Sequence, residues 1–187
     1  MTRIIAGAYG GRRISTPKGD ATRPTSDRVR EALFSSLESE LGGFGGVTVL
    51  DLFAGSGALG LESMSRGADA VTFVDSDARA IGAVRANVRD LGIERAQVIK
   101  ASAAAYVERD DHAGADLVFV DPPYAMATAV VADLVLSIAR RSPDALFVVE
   151  RSTRDPFAWP EGVEGFRSKK YGETTLWFGR AAIRSLA

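Results

Sequence analysis

Two short stretches hold residues suited to chemistry: Asp121-Pro122-Pro123-Tyr124, and, beginning 67 residues earlier at Ala54, the run Ala54-Gly55-Ser56-Gly57-Ala58-Leu59-Gly60. An amino group on a nucleobase is a weak nucleophile because its lone pair is delocalised into the ring. Two acceptors aimed at its hydrogens can turn that lone pair toward an electrophilic methyl group. Asp121 offers one acceptor in its carboxylate, and the carbonyl of Pro122 offers the other on a backbone stiffened by its ring. Tyr124 adds a flat surface on which a flipped or unpaired base can stack. Asp121 need not be a strong base, because the proton leaves easily once methylation has made the nitrogen cationic. Asp121, Pro122, Pro123 and Tyr124 are therefore the candidate catalytic residues. The same four residues can also end a strand as a simple polar turn. Their position favours chemistry: they follow the apolar run Ala115 to Val120, and open α/β sheets place ligands at such strand ends.

The glycine run follows Val47 to Phe53, which reads as a strand, and precedes residues of helical character. Strand, glycine turn and helix amino terminus make a site where backbone N–H groups face a ligand and no Cβ blocks its approach. A phosphate-binding P-loop needs Lys-Ser or Lys-Thr after its last glycine, whereas Gly60 is followed by Leu61 and Glu62. Gly55, Gly57 and Gly60 do satisfy the spacing of a nicotinamide dinucleotide loop, with Asp75 at the end of the next strand. Asp51 separates the two remaining ligands. An anion four residues ahead of Gly55 sits poorly beside a pyrophosphate and well beside S-adenosylmethionine, a sulfonium with an α-ammonium group. Asp75 suits either, since a carboxylate there accepts from both ribose hydroxyls; Asp77 is the better cap for the helix that follows.

These residues need a scaffold, and the apolar pattern supplies one. Strands are expected near 47–53, 70–74, 97–101, 115–120 and 145–150, with helices near 57–66, 78–91, 103–108 and 127–142 between them. That alternation implies an α/β fold with a mostly parallel sheet and helices on both faces. Two last strands, about 164–170 and 174–178, are joined by Tyr171-Gly172-Glu173 and must be antiparallel. Ahead of this body, Arg3 to Ser15 reads as a hairpin, and Val29, Ala32, Leu33, Phe34 and Leu37 define a helix from about Asp27 to Leu41. The chain thus divides into an N-terminal extension, 1–42, and a Rossmann-like domain, 43–187.

Composition bounds the function. The 187 residues are 46% hydrophobic and 25% charged, the balance of a globular protein. With no cysteine, disulfides, thiolate metal sites and cysteine nucleophiles are excluded, and with them the usual route to methylation at a pyrimidine C5. No metal cluster is expected, and His112 reads as a surface loop residue. Arg3, Arg12 and Arg13 interrupt any secretory signal, and Ala125 to Ala139 is too short to span a bilayer; a cytoplasmic, monomeric protein with no membrane contact is expected. Of 23 basic and 24 acidic residues, seven and two lie in residues 1–30, which gives that segment +5 and the rest −6. Arg3, Arg12, Arg13, Lys18, Arg23, Arg28 and Arg30 form a basic arm suited to a polyanion.

The chain resembles the RsmD-type methyltransferases that modify guanine N2 in 16S ribosomal RNA. The likeness runs through Arg3-Ile4-Ile5-Ala6-Gly7, Gly11-Arg12-Arg13, the stretch Arg23 to Phe34, Asp51 to Gly57, Asp121 to Tyr124 and Tyr171-Gly172-Glu173-Thr174. It implies the class I methyltransferase fold, S-adenosylmethionine as donor, and 16S rRNA in a partly assembled small subunit as substrate. Asp51, Ala54, Gly55, Gly57, Asp75, Ser76, Ser102 and Ala103 are the expected cofactor contacts. Where this family often carries an acidic or amide residue near the adenine, this chain has Lys100-Ala101-Ser102-Ala103-Ala104, so one hydroxyl and a backbone amide take that task. The rival readings are a DNA adenine-N6 or protein glutamine methyltransferase, and, from another class, a non-catalytic RNA-binding assembly factor. Removing residues 1 to about 24 is expected to weaken RNA binding and spare donor binding.

Overall fold

The computed structural model describes residues 2–18, 26–109, 111 and 114–182. Arg23 and His112 lie outside the described residues. Two compact units divide the chain, Met1–Ser102 and Ala103–Ala187.

In the first unit, β1 (Thr2–Arg3) pairs antiparallel with β2 (Arg13–Ile14), the predicted hairpin. Helix α1 (Asp27–Leu41) starts where the Ser26 hydroxyl accepts from the Val29 N–H at 3.3 Å. It stops at Gly42, whose φ of 71° only glycine adopts readily. Its apolar stripe Leu33, Phe34 and Leu37 is buried. Strands β3 (Thr48–Asp51), β4 (Ala70–Asp75) and β5 (Ala96–Lys100) run parallel in the order β5-β4-β3. Helices α2 (Ala58–Ser65) and α3 (Ala78–Leu91) are the crossovers that parallel pairing requires.

In the second unit, α4 (Ala103–Val107) and β6 (Leu117–Val120) precede α5 (Thr128–Ala139) and β7 (Leu146–Ser152), and β6 and β7 are parallel. All four residues of β6 and the first four of β7 are buried, as expected for parallel strands covered on both faces. The chain ends in the antiparallel pair β8 (Val163–Tyr171) and β9 (Thr174–Ala181), giving the order β6-β7-β9-β8. Strands β7 and β9 are longer than their apolar runs alone suggest. Each extends the other, through seven successive pairs from Leu146–Arg180 to Ser152–Thr174. Trp159 packs on Gly165 and Gly179, where a Cβ at either glycine would run into the indole. No helix among the described residues is long and apolar enough to cross a membrane.

Candidate functional site

The glycine loop is built as a rigid turn between β3 and α2. Gly57 N–H closes the turn on the Ala54 carbonyl at 2.7 Å, and Ala54 N–H is tied to the Val74 carbonyl of β4 at 2.9 Å. The three glycines do different things. Gly55, with φ 55°, faces open space, whereas a Cβ on Gly57 would press on Phe73 and Val84 at 3.2 Å, and one on Gly60 would collide with the Phe73 ring. Gly57 and Gly60 thus seat α2 on the sheet, and Gly55 leaves the approach to the loop clear. Asp75, half-buried at the end of β4, accepts from Gly55 N–H at 2.9 Å through Oδ2 and from Asp77 N–H at 2.8 Å through Oδ1. It therefore holds the loop, with a lone pair left on each oxygen. Asp77 caps α3 as expected, accepting from Arg79 N–H at 2.8 Å. Ser76 and Ser102 are exposed, and Ala103 is buried at the start of α4.

Asp51 is 2% exposed and its carboxylate accepts from Gly60 N–H at 3.1 Å. No basic side chain pairs with it among the described residues. Burial pushes its carboxyl up to about 7; the Gly60 bond works against the rise and the charge of Asp75 adds to it. The end of β3 is thus short of positive charge, which suits a cationic ligand. Among the described residues, no group of three or more His, Cys, Asp and Glu side chains could hold a metal.

Two buried polar side chains join the N-terminal arm to the walls of this loop, and neither was singled out from the sequence. Glu62 on α2, 0% exposed, accepts from Ile5 N–H at 2.8 Å and Ala6 N–H at 3.1 Å, and pairs with Arg66 Nε at 2.9 Å. Asn87 on α3 takes Ser15 N–H at 2.7 Å and donates to the carbonyls of Ser15 and Ser56, both at 3.0 Å. It therefore bolts the arm to the middle of the glycine loop. The signal for Asn87 was in the sequence: it interrupts the apolar face of α3 formed by Ala80, Ile81, Val84 and Leu91. Of the basic arm residues, Arg3, Arg12, Arg13, Lys18 and Arg28 are exposed. Arg30 is not. At 2% exposure its guanidinium donates to the Arg3 carbonyl at 2.7 Å and to Asp27 at 2.8 Å. It braces the hairpin against α1 and has no surface to offer a phosphate, a correction to its expected role.

In the second unit, Asp121 follows β6 and is exposed, Pro122 is buried, and Pro123 is exposed. Tyr124 is 59% exposed, with its hydroxyl 3.2 Å from Thr174 Oγ1. The ring is thus anchored at its tip while its surface stays open. Met126 N–H closes a turn on the Pro123 carbonyl at 3.0 Å. Behind the turn, Arg151 on β7 is 1% exposed, and its Nη2 donates to the Met126 carbonyl at 2.8 Å, Thr128 Oγ1 at 3.2 Å and Asp155 at 2.6 Å. The Thr128 hydroxyl and Arg151 hold the Asp155 carboxyl below its ordinary range. Glu150, next to Arg151, is pushed above the usual carboxylate range by burial.

The chain is similar to known proteins in sequence and in fold. Residues 2–180 match the family model described as Conserved hypothetical protein 95. The chain is 35% identical to ribosomal RNA small subunit methyltransferase D of Haemophilus influenzae, over 91% of this chain and 89% of that one. It is 38% identical to the protein of the same name in Escherichia coli K12, over 65% of this chain and 60% of that one. Thus the match to the Escherichia coli relative covers less than two thirds of its length, and that to the Haemophilus relative most of it. Among solved structures, yhhF of Escherichia coli, designated a methyltransferase, superposes with a TM-score of 0.85 at 27% identity, covering 98% of this chain and 99% of that one. The architecture is accordingly the α/β, Rossmann-like fold of class I methyltransferases, with a mostly parallel sheet and a C-terminal antiparallel hairpin. On the extent of the family match and of the Haemophilus alignment, this chain belongs to the family of ribosomal RNA small subunit methyltransferase D.

Proposed function

We propose that this protein transfers a methyl group from S-adenosylmethionine to the exocyclic N2 of a guanine in 16S rRNA, with a partly assembled small subunit as its physical substrate. The observation that carries this reading is the Asp121–Tyr124 segment. Pro122 is buried while the Asp121 carboxylate and the tip-anchored Tyr124 ring are exposed. The names of the relatives, ribosomal RNA small subunit methyltransferase D, support the substrate class.

The donor supplies an electrophilic methyl group on a sulfonium. Ala54, Gly55 and Gly57 give it a rigid floor, and Asp75 has a lone pair on each oxygen for the ribose hydroxyls. Ser76, Ser102 and the backbone of Ala103 are proposed for the adenosine end. Asp51, held behind the loop, contributes negative charge toward the cationic end of the donor. On the acceptor side, Asp121 and the Pro122 carbonyl accept from the two N2 hydrogens and fix the direction of the lone pair. Tyr124 stacks on the base and Pro123 keeps the turn stiff. Arg3, Arg12, Arg13, Lys18 and Arg28 hold RNA phosphates; Arg23 is proposed on its type alone.

Asp51 makes the reading sensitive to pH. Its folded value of about 7 exceeds the ordinary 3.8, so the folded protein binds the extra proton and this group's contribution to stability falls as pH rises from about 4 to about 7. A cationic donor prefers the ionised form. Donor affinity should therefore climb with pH, by up to about tenfold per unit, and level off above about 7. Calorimetric titration from about pH 5.5 to 8.5 checks this, and Asp51→Asn should flatten the curve.

Arg151 sets the Pro-Pro-Tyr turn through the Met126 carbonyl. Arg151→Gln should lower turnover by about 10- to 100-fold through misplacement of the turn, with donor affinity kept, and Arg151→Lys should restore part of it. Equal turnover in all three proteins, measured at saturating donor, would remove Arg151 from this role.

The decisive test of the function is transfer of labelled methyl to small subunits from cells lacking this protein, followed by nucleoside analysis. Label in N2-methylguanosine is the expected result. Label in N6-methyladenine or on protein glutamine would replace the substrate, and no label on subunits, free RNA or DNA would leave a binding factor.

A further inference from the structure

The C-terminal hairpin carries a basic and aromatic face that plays no part in the chemistry above. Pairing sets Arg167 opposite Phe178, Lys169 opposite Leu176 and Tyr171 opposite Thr174. Residues two apart on a strand share a face, so these three positions of β8 form one row. The bulge between Gly165 and Arg167 brings Phe166 to the end of that row. Its ring lies 6.3 Å from that of Phe178, with the Arg167 guanidinium 5.7 Å and the Arg180 guanidinium 6.0 Å from its centroid. At the opposite end, Thr174 meets the Tyr124 hydroxyl at 3.2 Å. The row therefore leads from Tyr171, opposite the threonine that meets the proposed base-stacking residue, through Lys169 and Arg167 to Phe166. Tyr171 to Arg167 alone spans roughly 13 Å.

Charged residues along β8 have a simpler use. Among the described residues this strand pairs only with β9, and lysines or arginines on an edge discourage strand addition. An edge guarded for that reason has no need of an exposed phenylalanine. Phe166 is nevertheless 43% exposed, turned outward by the bulge and flanked by two guanidiniums. An open ring among cations, in line with a second exposed ring, matches what single-stranded nucleic acid requires: phosphate contacts and a stacking platform. The local charge agrees. Residues 163–181 hold four basic side chains against two acidic ones, within a body that is acidic as a whole. Glu164, opposite Arg180, marks the far limit of the row.

We propose that this face of the β8–β9 hairpin is a track for the single-stranded RNA flanking the target guanine, with phosphates on Arg167, Lys169 and Arg180 and a neighbouring base stacked on Phe166. The assignment rests on the RNA-methylation reading. It adds a second RNA surface, separate in sequence from the basic arm.

The test uses the full-length protein and a 16S rRNA fragment that the wild type binds, with affinity read by fluorescence anisotropy across a salt series. Phe166→Leu should weaken binding about tenfold, the scale of one lost base–aromatic stack, and Phe166→Tyr should preserve it. Arg167→Gln with Lys169→Gln should reduce the log–log salt slope by about 1.4, the value for two phosphate contacts on a single strand. Melting temperature and donor affinity should match wild type in every variant, and the KM for RNA should rise while kcat holds. Unchanged RNA affinity and salt slope would overturn the track. So would a change confined to self-association, seen by sedimentation, which would make the edge a contact between copies of the chain. Wild-type methyl transfer is measured separately: binding that depends on Phe166 without transfer to RNA would sink the enzymatic reading and leave the track standing.

Discussion

Replacing Asp121 by alanine should cut methyl transfer on the order of 10³-fold, the cost of deleting one preorganised hydrogen-bond partner of a developing charge, while leaving donor affinity unchanged. The side chain is exposed after a buried strand and a buried proline adjoins it, so truncation removes an acceptor without opening the core. Asparagine separates two versions of the mechanism. If the carboxylate mainly orients the amino group, Asp121→Asn keeps one acceptor oxygen and retains far more activity than alanine. If it must take the proton before the methyl group moves, asparagine is as poor as alanine. Single-turnover rates at saturating donor make the comparison. Near-normal turnover in the alanine protein would show that the active site has been assigned to the wrong residues.

The second large effect concerns stability. Glu62→Ala should lower the unfolding free energy by about 3–5 kcal/mol, the usual result of removing one member of a buried charge pair. The Ile5 and Ala6 N–H groups and Arg66 would all lose their shared acceptor. For a chain of this length that is a fall in Tm of roughly 6–20 °C, read by calorimetry. The same joint changes what is expected from deleting the arm. Truncation to about residue 24 would strip Glu62 of two donors and Asn87 of both its bonds to Ser15, beside the carbonyl of Ser56 in the glycine loop. Donor binding and stability should suffer together with RNA binding. Charge reversal at exposed Arg12 and Arg13 is the cleaner probe of RNA contact, since it spares both joints.

Much of the scaffold was legible in the residues because it is encoded locally. The 3.6-residue stripe of α1, the cap at Ser26, the stop at Gly42 and the buried runs of β6 and β7 depend on near neighbours along the chain. Strand ends were less legible, since β7 and β9 lengthen each other through a pairing that joins residues more than twenty positions apart. The glycine loop was read correctly as a turn before a helix. The different tasks of its glycines were not, because Gly60 owes its identity to Phe73 on another strand.

The residue types and their order determined the family, the alternation of strands and helices, and the chemistry open to Asp121, Pro122 and Tyr124. Only the tertiary structure decided which charges stay outside. Arg28 and Arg30 are two residues apart in the same basic run, yet one is exposed and the other buried against Asp27 and the Arg3 carbonyl. Glu62 and Asn87 gain their partners only when the arm folds over them, and Phe166 is exposed beside a bulge in its strand. The physical reason is common to all of them: a side chain's intrinsic chemistry travels with its sequence, whereas its solvation and partners come from segments that are distant along the chain and adjacent only after folding.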